Sequence, residues 1–194
     1  KTENLFQIDN INITGIPLDK IQGLNDELYN TIEKNIFFLK KEVLKNSISE
    51  FNIVEKYSVK KIYPRELNIN IKPTKFIAKI SNKDDVLVGS NGKLISNKDF
   101  KKKLPSIFGK FNSNKFLELK IHLERSGFNF EDLKSLIYFS SGRWDILTND
   151  NVLIKLPNKK IYESLHLAKK ILNDDNFKMN KFIDLRISNQ IIVK

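Results

Sequence analysis

Few residues in this chain have side chains that could do covalent or acid–base chemistry, and none has the spacing of a common catalytic motif. There are two histidines, His122 and His166, and no cysteine. Each histidine lies beside the apolar stripe of a predicted helix, and neither has a second histidine four residues away to complete a zinc-binding pair. Without cysteine the chain has no disulfides and no thiolate sites. We therefore predict a protein without catalytic residues, metal site or cofactor.

A segment with two glycines, Gly89-Ser90-Asn91-Gly92, resembles a phosphate-binding loop only in composition. It has neither the Lys-Ser/Thr pair nor the following helix that a P-loop needs. Because Asn-Gly tolerates the positive φ angles of a two-residue turn, we interpret it as a hairpin turn.

The one acid–base pair that stands out is Asp184-Leu185-Arg186. Residues two apart on a strand point to the same face, so this carboxylate and this guanidinium can pair. A surface ion pair is the simpler interpretation. The functional interpretation is a charged rim beside a sheet edge that binds a partner.

The segment after this pair favours the functional interpretation. Residues 190–193 are mostly β-branched, contain no proline, and follow every other predicted strand. An open apolar edge is normally protected, because its unpaired N–H and C=O groups promote aggregation, so an edge left open fits a partner strand. We expect a proline at Ile192 to weaken such binding. The alternative is that residues 182–193 form a hairpin with its turn at 188–189, and that a further segment of the same polypeptide covers the outer edge of this hairpin. From the residues alone, the predicted edge is Gln190-Ile191-Ile192-Val193, with Arg186 on its charged rim.

The net charge of +11 raises the question of a nucleic acid or an anionic membrane as partner. The lysines are spread along the whole chain, and the densest run, Lys101-Lys102-Lys103, reads as a solvated loop. We therefore predict no nucleic-acid binding. The longest apolar run, Ile36-Phe37-Phe38-Leu39, is far shorter than the ~20 residues that span a membrane. A membrane anchor, if the protein has one, is expected before Lys1.

The element that must position these residues is a central hairpin around Trp144, the only tryptophan. Two apolar arms flank Asn149-Asp150-Asn151, residues that tolerate the positive φ of a tight turn. Val152, Ile154 and Leu156 then alternate toward one buried face. We expect Trp144 to be part of the core.

The residues before this hairpin and around it predict two domains, 1–73 and 74–194. The first domain is predicted to contain a strand from residue 6 to 14–15 with an irregularity near 9–10, then two helices (18–32 and 43–51) and two strands (53–63 and 67–72). Pro73 is expected to interrupt the ladder, since it has no N–H to donate. The second domain is predicted to begin with strands at 76–80, 86–88 and 93–95, a loop at 104–109, a helix at 114–126 and a strand at 133–139. The hairpin follows, then a helix at about 160–173, and strands at 182–187 and 190–193. The helix at 160–173 is expected to bury Leu172 among other residues.

Several of these segments, in the same order, resemble the bacterial cell-division family FtsQ/DivIB. They are 59–64 followed by 67–72, Leu87-Val88-Gly89 with Gly92, Leu104-Pro105, Gly142-Arg143-Trp144-Asp145, 152–157, and Ile183-Asp184-Leu185-Arg186. The resemblance implies an α+β fold, with an N-terminal POTRA domain of order β-α-α-β-β followed by a mixed, mainly antiparallel β domain covered by helices.

The resemblance also implies the function. It implies a non-enzymatic scaffold at the division septum, with a single inner-membrane anchor before Lys1 and both domains in the periplasm. Members of the family bind FtsB and through it FtsL, and the partner adds a strand to the last strand of the β domain, with Arg186 as its charge partner. The partner-binding positions that the resemblance implies are Arg186, Ile187, Ser188, Asn189, Gln190, Ile191, Ile192 and Val193. Ile187 occupies a position where the family commonly has an aromatic residue. Isoleucine cannot make the stacking contact of an aromatic ring, but it still allows main-chain pairing with the partner.

Two other function classes stay open on sequence. POTRA domains also serve as periplasmic chaperone or transport modules that bind extended chains at a sheet edge. The Trp144 hairpin and the Asp184-Leu185-Arg186 ending argue against that class. A nucleic-acid binder is the second, and its affinity for DNA would fall steeply with salt.

Overall fold

The chain folds into two compact units that divide between Lys75 and Phe76. The computed structural model describes residues 5–31, 35–187 and 190–194. Helices and sheets of mixed strand orientation are present, so the fold is of the α+β class, as predicted.

The first unit is a three-stranded sheet with two helices, in the predicted order strand, helix, helix, strand, strand. Strand β3 lies in the middle, parallel to β1 and antiparallel to β2. Its alternating residues Leu67, Ile69 and Ile71 share one core with Leu24 and Leu28 of α1. The elements are β1 (Asn10–Thr14), α1 (Leu18–Thr31), α2 (Lys41–Glu50), β2 (Val54–Ile62) and β3 (Glu66–Pro73).

Two predictions for this unit were wrong in detail. Strand β1 begins at Asn10, because the preceding residues bond elsewhere: the carbonyl of Phe6 accepts a hydrogen bond from the N–H of Ile36. Pro73 does not interrupt the ladder but pairs with Val54. The pairing with β1 has already ended at Asn70, so the missing N–H of proline removes no bond to that strand.

The second unit is built on a nine-stranded, mainly antiparallel sheet in the order β12-β11-β10-β9-β8-β7-β4-β5-β6. Its elements are β4 (Phe76–Ile80), β5 (Lys83–Gly89), β6 (Leu94–Ser96), β7 (Ser106–Phe108), α3 (Ser113–Arg125), β8 (Leu133–Tyr138), β9 (Trp144–Thr148), β10 (Leu153–Lys155), α4 (Ile161–Leu172), β11 (Phe182–Asp184) and β12 (Ile192–Val193).

The core of this unit lies between one face of the sheet and the helices α3 and α4. Trp144 is 1% exposed, and its ring lies 4.7 Å from that of Tyr138 and 5.9 Å from that of Phe111. The β9–β10 hairpin forms as predicted, with Asn151 at a φ of 60° in its turn. On α4 the last buried side chain is Ile171, whereas the predicted Leu172 is only half-buried.

The predicted loop at 104–109 contains a strand in the interior of the sheet, which corrects that prediction. Strand β7 lies between β4 and β8 and is parallel to both. On the β4 side, the carbonyl of Ile107 accepts a hydrogen bond from the N–H of Ser81 at 3.0 Å. A strand of three residues is too short to show a period of two, so the sequence pattern does not indicate it.

Candidate functional site

The predicted partner-binding segment lies at one edge of the nine-stranded sheet. Strand β12 is the outermost strand, and β11 is its one neighbour in the described part of the chain. Phe182 and Lys194 exchange two main-chain hydrogen bonds, each 3.0 Å long. Along an antiparallel ladder, residue pairs that exchange main-chain hydrogen bonds alternate with pairs that do not. Since Lys194 is in a bonded pair, Val193 is in a non-bonded pair and directs its N–H and C=O away from β11, whereas the N–H and C=O of Ile192 point toward β11. Val193 therefore presents the free main-chain groups of this edge.

This geometry corrects the expected effect of a proline at Ile192. The N–H of Ile192 belongs to the protein's own ladder with Asp184. Proline at this position would detach the two-residue strand β12 from β11. A loss of binding would then follow from the lost strand and would not test whether a partner pairs with its outer side. The edge has to be tested at Val193.

A cavity of about 840 Å³ opens beside the edge, where β10 and β11 end and α4 begins. Its apolar wall includes Leu156 and Leu167, and its basic residues are Arg143, Lys159, Lys160 and Arg186, against the single acid Glu163. Lys160 has a left-handed backbone (φ 57°), a conformation that costs free energy for a residue other than glycine. The lining thus combines apolar surface with four basic residues, of which Arg143 and Arg186 are ion-paired with buried aspartates.

Two buried carboxylates hold two of these cations in place. Asp145 and Asp184 are only 3% and 6% exposed, and both are register partners of Lys155, which lies between them on β10. Arg143 donates to Asp145 from Nε at 3.2 Å and from Nη2 at 3.3 Å. Arg186 donates to Asp184 from Nε at 2.9 Å and from Nη2 at 2.6 Å. A buried carboxylate without such partners would be strongly unfavourable, so the pairs hold each other in position.

The Arg186 pair also changes the acidity of its carboxyl group. Hydrogen bonds from the Arg186 side chain hold the pKa of Asp184 below its ordinary value, with a smaller contribution from the Lys155 ammonium. The pKa of Arg186 is correspondingly raised above its ordinary value. Both groups are therefore charged throughout the neutral range.

Each guanidinium keeps a donor for something else. Arg143 also lies over the Phe139 ring, with Cζ 3.9 Å from the ring centroid. Both arginines use Nε and Nη2 on their aspartates, and within the described residues the Nη1 of each has no hydrogen-bond acceptor. A guanidinium has five N–H donors and favours carboxylates. The arrangement can therefore bind an acidic side chain beside an added strand.

The predicted site residues fall around this cavity and edge. Arg186, Ile187, Gln190 and Ile191 line the cavity, and the N–H of Gln190 donates to the carbonyl of Ile187. Ile192 and Val193 form β12, while Ser188 and Asn189 lie outside the described residues. Arg186 lies beyond the end of β11, so the predicted shared strand face is wrong although the ion pair forms.

Sequence reasoning from the residues missed Arg143 and Asp145. A signal was present, because Arg143-Trp144-Asp145 repeats, in reverse order, the charge spacing of Asp184-Leu185-Arg186. What the sequence could not indicate is that the two pairs flank the same lysine on three adjacent strands. Among the described residues there is no group of three or more histidine, aspartate or glutamate side chains that could hold a metal ion.

One comparison with known proteins covers most of the unit that contains this site and ends before the edge strand β12. A family model described as "Cell division protein FtsQ/DivIB, C-terminal" matches residues 77–186, more than half of the chain. The match includes both arginine–aspartate pairs. No curated protein matches the chain. None of the helices in the described ranges is long and apolar enough to cross a membrane.

Proposed function

The chain belongs to the FtsQ/DivIB family of cell division proteins, and we propose that it is a non-enzymatic scaffold that recruits another division protein to the edge of its second unit. The observation that carries this proposal is that two carboxylate-held guanidiniums line a cavity whose wall also includes Gln190 and Ile191, the two residues that lead into the edge strand β12.

The edge supplies main-chain affinity in this proposal. A partner segment pairs with the outward N–H and C=O of Val193 and extends the sheet by one strand. The exposed side chains of Ile187 and Ile191, at the cavity, contact the added strand. Because β12 is short, main-chain pairing alone is weak, and the cavity has to contribute the rest.

The cavity supplies selectivity for charge. The guanidiniums of Arg143 and Arg186 are held in fixed positions, so they lose little conformational freedom when a carboxylate binds. The partner segment is therefore acidic where it passes the cavity and apolar where it pairs with β12. We identify it with FtsB, and with FtsL through FtsB, as the family implies.

The remaining features of the family complete the proposal. The first unit is a POTRA domain, which its order β-α-α-β-β supports. The predicted domains, 1–73 and 74–194, differ by two residues from the division of the chain between Lys75 and Phe76. A single inner-membrane anchor precedes Lys1, both domains lie in the periplasm, and the protein acts at the division septum. The match to a division family over 77–186 favours this function over a POTRA-type chaperone or transport module.

Calorimetry with a synthetic peptide covering the extracytoplasmic part of the cognate FtsB tests the proposal. Arg186→Glu reverses the charge at the cavity and should weaken binding by about tenfold or more, since it places like charges together. The control is Arg125→Glu, which makes the same charge change at an exposed position of α3 away from the cavity. Equal affinities for the two variants would mean that the partner binds elsewhere.

A further inference from the structure

A short turn in the first unit exposes two phenylalanines in a way that the division site does not explain. In residues 36–39, here called the aromatic turn, Ile36 and Leu39 are buried, while Phe37 and Phe38 are 54% and 68% exposed. The outer residues anchor the turn in the core, and the inner two project from it.

Hydrogen bonds keep the aromatic turn in this shape. The ammonium of Lys61 donates to the carbonyl of Ile36 at 2.6 Å and to that of Leu39 at 3.1 Å, which joins the two ends of the turn. The N–H of Phe37 donates to the Oδ1 of Asn35 at 3.0 Å. Since Ile36 and Leu39 already occupy the core beneath, Phe37 and Phe38 cannot fold inward without displacing them.

Further apolar side chains continue the surface around the turn. The Phe37 ring stacks on that of Tyr63 at 4.9 Å and meets the edge of Phe6 at 4.7 Å. Tyr63 and Leu5 are themselves more than half exposed. A contiguous exposed patch of this kind marks an interaction surface.

The charges beside the patch indicate what it contacts. The exposed Lys40 and Lys41 directly follow the turn, and Lys61 closes its base. Of the nearby acids, Asp9 is paired with Arg65 at 3.1 Å. Projecting aromatic side chains with lysines behind them suit a lipid surface, where the rings enter the interfacial region and the ammonium groups meet phosphates. A specific protein partner would bury about 800 Å² on this side and would have to contact surface beyond the turn and its aromatic neighbours.

We infer that the aromatic turn is a membrane-contact site that inserts Phe37 and Phe38 into the surface of an anionic bilayer. The contact is independent of the proposed partner edge. It holds the first unit against the membrane by a second attachment besides any anchor.

Vesicle flotation with the full chain tests this inference. We expect binding to vesicles of phosphatidylethanolamine and phosphatidylglycerol and weak binding to phosphatidylcholine alone. Phe37→Ser with Phe38→Ser should lower the partition coefficient by about tenfold or more, because each ring no longer leaves water. The matched control, Ile121→Ser with Met179→Ser, removes two exposed apolar side chains from the second unit and should bind as the wild type.

Three further variants separate the contribution of charge from that of ring insertion. Lys40→Glu with Lys41→Glu should abolish the preference for phosphatidylglycerol, whereas Lys101→Glu with Lys102→Glu should retain it. Phe38→Trp should show a blue-shifted emission with anionic vesicles, against the constant background of buried Trp144. Unchanged emission, equal binding by the double serine variant, or a turn that is instead protected by a protein of the division complex would each overturn the inference.

Discussion

Replacing Val193 with proline tests the added strand most directly. Val193 lies in the non-bonded pair of the β11–β12 ladder, so its N–H points to the open side of the sheet. Proline removes that donor, and its φ suits an extended chain. Ile192, the residue before it, is already in a strand, the conformation that a following proline favours. The protein's own ladder keeps all its donors.

The expected magnitude follows from that single donor. A partner carbonyl that loses its hydrogen bond in a buried position costs about 1–3 kcal/mol, whereas an ordinary net hydrogen bond contributes about 0.5–1.5 kcal/mol. At about 1.4 kcal/mol for each factor of ten, the Kd should rise roughly 5- to 150-fold. The free energy of unfolding should change by about 1 kcal/mol or less, because no hydrogen bond within the protein is lost and proline keeps part of the half-buried apolar contact that Val193 makes with the core.

The assay is calorimetry with the FtsB peptide, and the opposite edge of the sheet supplies the control. In the β5–β6 ladder the N–H of Gly89 donates to Lys93 and that of Asn97 donates to Asp85. By the same alternation, the N–H of Ser96 in β6 points away from β5. Ser96→Pro therefore removes an equivalent N–H donor at the other edge of the sheet, far from β12. Its Kd should match that of the wild type. A folded Val193→Pro protein with unchanged Kd would refute strand addition at β12.

Three further outcomes are expected. Trp144→Ala should lower the free energy of unfolding by about 3–5 kcal/mol in denaturant titrations, because the side chain is fully buried; lost partner binding at unchanged stability would make it a contact residue instead. Asp184→Asn should be less stable than the wild type by a constant amount at neutral pH. The pKa of Asp184 is lower in the folded than in the unfolded protein, so its charged form stabilises the fold at pH values above the unfolded-state pKa of about 4. As the pH falls below that value, Asp184 becomes protonated in the wild type and the difference in stability should shrink. A difference that persists in stronger acid would contradict this role of the charge. A fragment of residues 1–75 should unfold cooperatively by itself, and limited proteolysis should cut near 72–76; an insoluble fragment without such a cut would count against independent folding.

Much of the secondary structure follows from local sequence patterns. Apolar spacing of three and four identifies the helices, as with Phe116, Leu119 and Leu123 of α3. Alternation identifies β3, and the Asn149-Asp150-Asn151 turn identifies the β9–β10 hairpin. These signals are readable because each depends on residues within a few positions of one another.

Strand β7 and the details of the candidate site required the tertiary structure. β7 has three residues, and its place between β4 and β8 depends on hydrogen bonds to segments distant in sequence. Arg143 and Asp145 join Arg186 and Asp184 only because β9, β10 and β11 lie side by side in one register.

By itself, the sequence determined that residues 190–193 are an apolar segment rich in β-branched residues and that Asp184 and Arg186 can pair. Only the tertiary structure decided that Val193, and not Ile192, presents the free N–H at the edge. The physical reason is that the direction of a main-chain N–H depends on which residue of the neighbouring strand lies opposite, and that register is set by packing across the whole sheet.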